Sequence, residues 1–353
     1  MPITDFRTLG RSGLVVSPLA LGTMTFGAAR WGSADDASEA VFDAYVEVDG
    51  NLVDTADVYA GGRSEELVGE YVAARGLRDR LVLATKYTFN AQPGNPNAGG
   101  NGRKNLHRAI EGSLRRLKTD YVDLFWLHAW DVVTPAEEVV ESLAEIVRSG
   151  KARYVGLSDV PAWVATRVAT LAQAQGVPGP IALQVEYSLV ARSVESEIVP
   201  AARELGLGVM PWSPLGGGFL TGKYSRGGAG TTSAGGTGRL SGSNPFGDSK
   251  FTDANWAVLD ALRAVATEVG RTPAQVALAW TLARPAVSCV LVGARTAEQL
   301  RDNLASLDLA LAPEQTAALD AAGSRGSAYA MDQISSPEVN RMIFGGHTVR
   351  GWR

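Results

Sequence analysis

The sequence predicts one (β/α)8 barrel domain spanning residues 1–353. Eight short apolar runs typical of buried strands alternate with longer amphipathic stretches typical of helices, and this alternation indicates a parallel sheet. A length of 353 residues suits a closed α/β barrel with insertions. With 45% hydrophobic and 20% charged residues, the chain can bury a large core.

The elements follow one another from the N-terminus. A hairpin is predicted over residues 7–16, turning at Arg11-Ser12-Gly13. Strands are predicted at residues 20–21, 52–54, 81–86, 124–128, 154–157, 182–185, 208–211 and 287–292. Helices are predicted at residues 34–48, 64–74, 103–117, 135–148, 161–175, 194–205 and 297–306, with residues 253–269 and 273–283 as further candidates.

Two segments depart from the alternation. Residues 225–243 are dominated by Gly, Ser and Thr, which bury little, so a flexible loop is predicted after the seventh strand. The C-terminal tail, residues 324–353, contains Met342, Ile343, Phe344 and Trp352. Because these side chains are apolar, we expect the tail to fold back on the barrel.

Charge and hydropathy argue against several kinds of partner. The formal net charge is −4 with both signs interspersed, so no basic stripe is present to neutralise nucleic-acid phosphates. The N-terminus does not follow the order of a signal peptide, and no apolar run is long enough to span a bilayer. We therefore expect a cytoplasmic protein without nucleic-acid or membrane partners.

The cysteine and histidine content argues against a metal enzyme. Cys289 lies among apolar neighbours, which indicates a buried strand residue. The three histidines, His107, His128 and His347, are scattered without the spacing of metal ligands. A metal-dependent barrel hydrolase is therefore disfavoured, and no metal site is predicted.

Ionisable residues end three successive predicted strands. Asp54, Lys86 and His128 would face the mouth where barrel enzymes place their active sites, and Tyr59 follows Asp54 by five residues. A lysine there needs a carboxylate partner, and Asp54 is on the neighbouring strand. Its ammonium would favour ionisation of a nearby phenol and so tune Tyr59 as a general acid. Each residue alone is more often structural than catalytic, but the combination is specific.

With these four residues the chain resembles the aldo-keto reductase superfamily, over nearly its whole length. Residues 127–131 are most similar to its bacterial and aryl-alcohol-dehydrogenase-like branches. The resemblance implies NADPH-dependent reduction of an aldehyde or ketone, in which Tyr59 donates the proton, Lys86 lowers its pKa, Asp54 holds Lys86, and His128 orients the carbonyl. Further matching segments are residues 22–24, 63–69, 120–128, 156–159, 184–188, 211–216 and 293–295.

The resemblance also implies a binding site for NADPH or NADP+. Ser158, Asp159 and Gln184 would contact the nicotinamide carboxamide, and Tyr187 would lie under the ring, although Tyr187 alone could be a core aromatic. Many relatives carry Asn where this chain has Asp159; a carboxylate there would stabilise the cationic oxidised ring. The other expected cofactor residues are Gly22, Thr23, Met24, Trp212, Ser213, Pro214, Leu215, Gly218, Leu220, Gly222, Lys223, Gly293, Ala294, Arg295, Gln299 and Asn303.

Arg295 bears on cofactor choice. It follows Gly293 and Ala294 after the last strand, and its guanidinium suits bidentate contact with the 2′-phosphate of NADPH. Gln299 and Asn303 lie four residues apart, on one face of the next helix. The sequence therefore favours NADP over NAD.

The sequence gives fewer signals for the substrate pocket and the biological role than for the catalytic residues. Phe26, Trp31, Tyr87 and Trp130 follow strand ends and predict an aromatic mouth, although each could instead pack loops together. A small-molecule carbonyl is the expected partner, and the oligomeric state stays open. An alternative to catalysis is an NADPH-binding regulatory subunit resembling the potassium-channel β subunits.

Overall fold

Eight parallel strands form the centre of the molecule. The structure is a computed structural model, and it describes residues 3–29, 32–226, 240, 250–323, 336–343 and 347. A short antiparallel hairpin of β1 (Arg7–Thr8) and β2 (Val15–Val16) precedes them. The parallel strands are β3 (Leu19–Gly22), β4 (Leu52–Asp54), β5 (Val82–Tyr87), β6 (Val122–Leu127), β7 (Ala152–Ser158), β8 (Pro180–Glu186), β9 (Gly208–Trp212) and β10 (Val290–Val292).

The sheet closes nearly completely on itself. Its strand order is β10-β3-β4-β5-β6-β7-β8-β9, and all neighbouring pairs are parallel. The two end strands are joined just before β10: the Val209 amide donates to the Ala286 carbonyl at 2.8 Å, and the Ser288 amide donates to the Val209 carbonyl at 3.0 Å. The predicted (β/α)8 barrel with an N-terminal hairpin is confirmed.

Helices surround the barrel. In the described residues they are α1 (Asp35–Val46), α2 (Arg63–Arg75), α3 (Arg103–Leu117), α4 (Ala136–Arg148), α5 (Ala162–Gln175), α6 (Ile198–Leu205), α7 (Asp253–Val269), α8 (Pro273–Leu282), α9 (Ala297–Leu304), α10 (Pro313–Ala322) and α11 (Pro337–Ile343). The larger part of the apolar core lies between these helices and the sheet, and a second apolar cluster fills the barrel.

The barrel interior determines which side chains reach the mouth. Leu52, Ala84, Trp126 and Ala182 belong to the interior cluster, and the hairpin contributes Leu9 at the end where the strands begin. Because side chains of a strand alternate between its two faces, the residue two positions after an interior residue also points inward. The inward face of these strands therefore continues into the C-terminal mouth.

Most predicted elements agree with the structure to within a few residues, and Cys289 is buried as expected. The sequence interpretation missed α10, although Pro313 at its first position is a recognised start signal. In the tail, Met342 and Ile343 are exposed, so the expectation that these two side chains pack on the barrel is wrong. Phe344, Trp352 and most of the predicted loop at residues 225–243 lie outside the described residues.

No helix within the described ranges is both long and apolar enough to cross a membrane. The same ranges contain no group of three or more His, Cys, Asp or Glu side chains that could hold a metal ion.

Candidate active site

A buried ion pair lies at the inner end of the mouth. Asp54 comes two residues after interior Leu52, and Lys86 two residues after interior Ala84, so both point inward from neighbouring strands. The Lys86 Nζ atom is fully buried; it donates to Asp54 Oδ2 and, at 2.9 Å, to the Thr55 carbonyl.

The Asp54 carboxylate is held on its other side as well. Gln184 Nε2 donates to Asp54 Oδ1 at 3.2 Å. Burial by itself would lower the pKa of Lys86, but the neighbouring Asp54 carboxylate and Tyr59 oxygen outweigh it and raise that pKa. Lys86 is therefore a fixed cation in a low-dielectric site.

Tyr59 brings a hydroxyl to this cation. It begins a 3₁₀ turn (Tyr59–Gly62) directly before α2, and Lys86 Nζ donates to its phenol oxygen at 3.2 Å. The turn reverses the chain through positive φ at Ala60 (49°), Gly61 (66°) and Gly62 (98°). The turn thereby connects Tyr59 directly to the start of α2.

His128 lies beside the tyrosine. It follows β6 directly, and its amide donates to the Tyr87 carbonyl at 2.9 Å. The edge of its ring contacts Tyr59 at a centroid distance of 5.8 Å and Phe89 at 4.7 Å. Burial, with a contribution from Lys86, lowers the pKa of His128 well below its usual value. The imidazole is therefore neutral and offers a hydrogen bond without a charge.

A carboxyl and an indole form the opposite wall. Asp159 follows β7 with φ 45°, and Trp212 Nε1 donates to its Oδ1 at 3.0 Å. Asp159 is open to the cavity, but the protein atoms around it reduce its hydration and, with a contribution from Glu186, raise its pKa to about 6. Ser158 and Gln184 lie beside this pair along the same cavity.

One cavity of about 810 Å³ joins these groups to a more distant cationic end. That end is formed by the glycine-rich turn Gly216–Thr221 after β9, by Lys223, and by Arg295 between β10 and α9. The Arg295 amide donates to Gln299 Oε1 at 3.0 Å. The cavity therefore offers a buried ionisable cluster at one end and two cations at the other.

The chain is similar to known proteins over most of its length. The model of the aldo/keto reductase family matches residues 18–324. The chain belongs to the aldo/keto reductase family. This confirms the resemblance seen in the sequence and makes the protein an oxidoreductase.

The relatives of this reductase include proteins of different kinds. An uncharacterised oxidoreductase, YrpG of Bacillus subtilis, is 36% identical over 320 residues, covering 88% of this chain and 93% of the relative. The aryl-alcohol dehydrogenase [NADP(+)] of Phanerodontia chrysosporium is 34% identical over 318 residues, covering 86% and 81%. A probable voltage-gated potassium channel subunit beta of Oryza sativa subsp. japonica is 36% identical over 309 residues, covering 86% and 92%.

The structure of the reductase brings Asp54, Tyr59, Lys86 and His128 together, and all but buried Lys86 line the cavity. Most of the residues expected to bind cofactor also line it: Gly22, Met24, Ser158, Asp159, Gln184, Trp212, Ser213, Pro214, Leu215, Gly218, Lys223, Gly293, Ala294, Arg295, Gln299 and Asn303.

Four expected cofactor residues do not line the cavity. Thr23 is buried against Ser64, Leu220 is in the core, and Gly222 ends the glycine-rich turn. Tyr187 packs its ring on Trp280 and donates its hydroxyl to Glu195 at 2.8 Å, so it is a core aromatic here. Trp212 presents an aromatic ring to the cavity instead.

The expected aromatic mouth needs a similar correction. Phe26 is buried, Tyr87 stacks on Phe125 and Trp130 packs against Trp163, so none of these three lines the cavity. Trp31 lies outside the described residues. Phe89, which sequence reasoning missed, does line the cavity.

The structure adds other cavity residues that the sequence interpretation missed. The first residues of α8 are among them, and their signal was the Thr272-Pro273 helix start, with Thr272 capping Gln275. The added residues are Thr25, Val58, Gly217, Thr221, Thr272, Pro273, Ala274, Leu291, Val292 and Asp302.

Proposed function

We propose that this reductase converts an aldehyde or ketone to an alcohol with NADPH. The reaction consumes one NADPH and one proton and yields the alcohol and NADP+. The observation that carries the proposal is the Tyr59 hydroxyl, which lines the cavity 3.2 Å from the fully buried Lys86 Nζ. A phenol beside a fixed cation is suited to protonate a carbonyl oxygen.

Each neighbour of Tyr59 has a part in this proton transfer. Lys86 stabilises the phenolate that remains, and Asp54 and Gln184 keep the Lys86 side chain in place. Neutral His128 is placed to donate a hydrogen bond to the same carbonyl oxygen. The proton on Tyr59 then returns from solvent between turnovers.

The rest of the cavity fits a nicotinamide dinucleotide, which supplies the hydride when bound. Ser158 and Gln184 suit the carboxamide, and the indole of Trp212 offers a flat surface for the ring. Gly218 has φ 93°, and a Cβ there would lie 3.0 Å from Lys223 Nζ, so glycine keeps this approach to the cation clear.

The cationic end supports a phosphorylated cofactor. Although the Lys223 side chain reaches solvent, the protein atoms around it and nearby Arg295 lower its pKa. Two cations that repel each other gain from an anion placed between them. We therefore assign Lys223 and Arg295, with Gln299 and Asn303, to the phosphate groups, and we assign the 2′-phosphate of NADPH to Arg295.

The substrate is proposed to be an aromatic aldehyde or ketone. Phe89 lies at the cavity with its ring 4.7 Å from that of His128, next to the position assigned to the carbonyl. Aromatic rings favour contact with a second ring. The name of the Phanerodontia relative supports the same substrate class.

A regulatory, NADPH-binding role is the second candidate, and the relative named as a channel subunit favours it. An assay of NADPH oxidation with a panel of aromatic and aliphatic aldehydes separates the two. We expect one NADPH consumed for each alcohol formed. NADPH binding without turnover across the panel would favour the regulatory role.

A further inference from the structure

The carboxyl group of Asp159 faces the cavity from the wall opposite Tyr59. We propose that Asp159 couples the protonation of this enzyme to the oxidation state of its cofactor, the carboxylate favouring NADP+ and the neutral carboxyl favouring NADPH. The inference rests on the proposed function, because it requires a nicotinamide in this cavity.

The backbone fixes the position of this carboxyl group. The Asp159 amide donates to the Gln184 carbonyl at 3.1 Å, and its carbonyl accepts from the Trp130 amide at 3.4 Å. The residue has φ 45°, a left-handed conformation that Asp and Asn tolerate better than most residues. Trp212 Nε1 then holds the side chain through Oδ1 at 3.0 Å.

The partner of Asp159 distinguishes it from the acids around it. Asp54 is neutralised by Lys86, and Glu186 on β8 is bonded to Lys250 at 2.7 Å. Asp159 is bonded instead to the uncharged indole of Trp212. Within the described part of the chain, its negative charge is therefore not balanced by a direct ion pair and is available to a cation in the cavity.

The ring of oxidised nicotinamide is such a cation. The same indole lies in the cavity wall and is assigned to the nicotinamide ring, so a ring seated there lies close to the Asp159 carboxyl group. The oxidised ring is positive and the reduced ring is neutral, so only the oxidised form attracts the carboxylate. By linkage, NADP+ binding favours ionisation of Asp159 as much as ionisation favours NADP+.

The groups around Asp159 determine the pH range in which its carboxyl group titrates. The Asp159 side chain is open to the cavity, but the protein atoms around it reduce its hydration, and this is the largest influence on its pKa. The bond from Trp212 and the charge of Lys86 on β5 favour its ionisation, Glu186 on β8 disfavours it, and its pKa is raised to about 6. His128 is neutral and Asp54 is paired, so neither changes the field near neutral pH. Rising pH therefore ionises Asp159 and shifts the bound cofactor towards the oxidised form.

Equilibrium binding tests this without turnover. The dissociation constants of NADP+ and NADPH are measured by fluorescence titration at about pH 5 and about pH 8, and their ratio is compared. The ratio is used because the 2′-phosphate, with a second pKa of about 6, titrates in both cofactors. In the wild type we expect the preference for NADP+ over NADPH to rise about tenfold between the two pH values, as one pKa unit of coupling gives.

Asp159→Asn is the deciding variant, because it keeps the oxygen that accepts from Trp212 and the tolerance for positive φ but removes the charge. We expect the ratio of the NADP+ and NADPH dissociation constants of Asp159→Asn to stay constant with pH. Glu186→Gln keeps Asp159 but removes a neighbouring negative charge, so Asp159 should ionise at lower pH. In this variant the preference for NADP+ should still rise with pH, but the rise should begin at a lower pH than in the wild type.

Two results would overturn the inference: a ratio of the two dissociation constants that does not change with pH in the wild type, or a ratio that rises in Asp159→Asn as much as in the wild type. If both cofactors bind, either result leaves the proposed function intact. Failure of both cofactors to bind would overturn the proposed function and the inference together.

Discussion

Each end of the cavity has a lysine, but the two lysines lie in different surroundings. Lys86 has no exposed side-chain surface and its partner Asp54 has 3%, whereas Lys223 is exposed and Arg295 is half-buried. Buried charges interact strongly but are destabilising when they lose a partner, while exposed charges are screened by water and salt. The buried end is therefore suited to proton transfer and the exposed end to anchoring an anion that comes and goes.

The largest effect is expected at the buried end. Lys86→Met removes the cation that stabilises the phenolate and leaves Asp54 as an uncompensated buried charge. We expect carbonyl reduction to fall by roughly 10²-fold or more and the free energy of unfolding to fall by about 3–5 kcal/mol. Urea denaturation and steady-state kinetics measure the two effects.

An exposed ion pair provides the matched control for that variant. Lys151→Met breaks the surface pair with Glu111 and should lower the free energy of unfolding by less than about 1 kcal/mol. Adding Asp54→Asn to Lys86→Met should restore part of the lost stability, because the orphaned charge is then gone. Equal destabilisation by the Lys86 and Lys151 variants would contradict the contrast between the two kinds of site.

An intermediate effect is expected at the exposed end. Arg295→Ala should weaken NADPH binding by about 10- to 150-fold, the equivalent of 1.5–3 kcal/mol for one charge-assisted contact. NADH lacks the 2′-phosphate, so its affinity should stay nearly unchanged. Fluorescence titration of both cofactors measures this, and rising salt should weaken NADPH more than NADH.

Arg301→Ala serves as the control for Arg295→Ala. Arg301 is exposed on α9, pairs with Glu47 at 3.7 Å and does not line the cavity, so its removal should change neither affinity. An equal loss for NADPH and NADH in Arg295→Ala would assign Arg295 to another part of the cofactor.

The smallest effect is expected at the aromatic rim. Phe89→Ala should raise KM for an aromatic aldehyde by about 2- to 13-fold, the equivalent of 0.5–1.5 kcal/mol for a ring contact, and should affect a short aliphatic aldehyde less. Trp163→Ala removes an exposed aromatic away from the cavity and should change neither KM. Equal changes for both aldehydes would mean that Phe89 is not a ring-binding wall.

The barrel and its inward-facing site could be predicted from sequence because strand geometry is regular. Side chains alternate along a strand, so Asp54 and Lys86 must point into the mouth once Leu52 and Ala84 are interior. The apolar pattern of the sequence was enough to predict approximately where these strands end.

The walls of the cavity could not be predicted in the same way, because the alternation stops where the strands end. Thr88, Asp159 and Ser213 follow β5, β7 and β9 with φ of 137°, 45° and 52°. Each turns the next side chains in a direction that strand periodicity does not give. As a result Phe89, the residue after Thr88, lines the cavity at a position that strand alternation does not predict.

The central claim is that Tyr59 supplies the proton, and Tyr59→Phe tests it most directly because it removes one oxygen and keeps the ring. Reduction of an aromatic aldehyde is measured in a single turnover, with NADPH affinity measured on the same protein. The account predicts that NADPH binds with nearly wild-type affinity while the rate falls by roughly 10²-fold or more. A rate within a few-fold of the wild type, with NADPH bound, would contradict it.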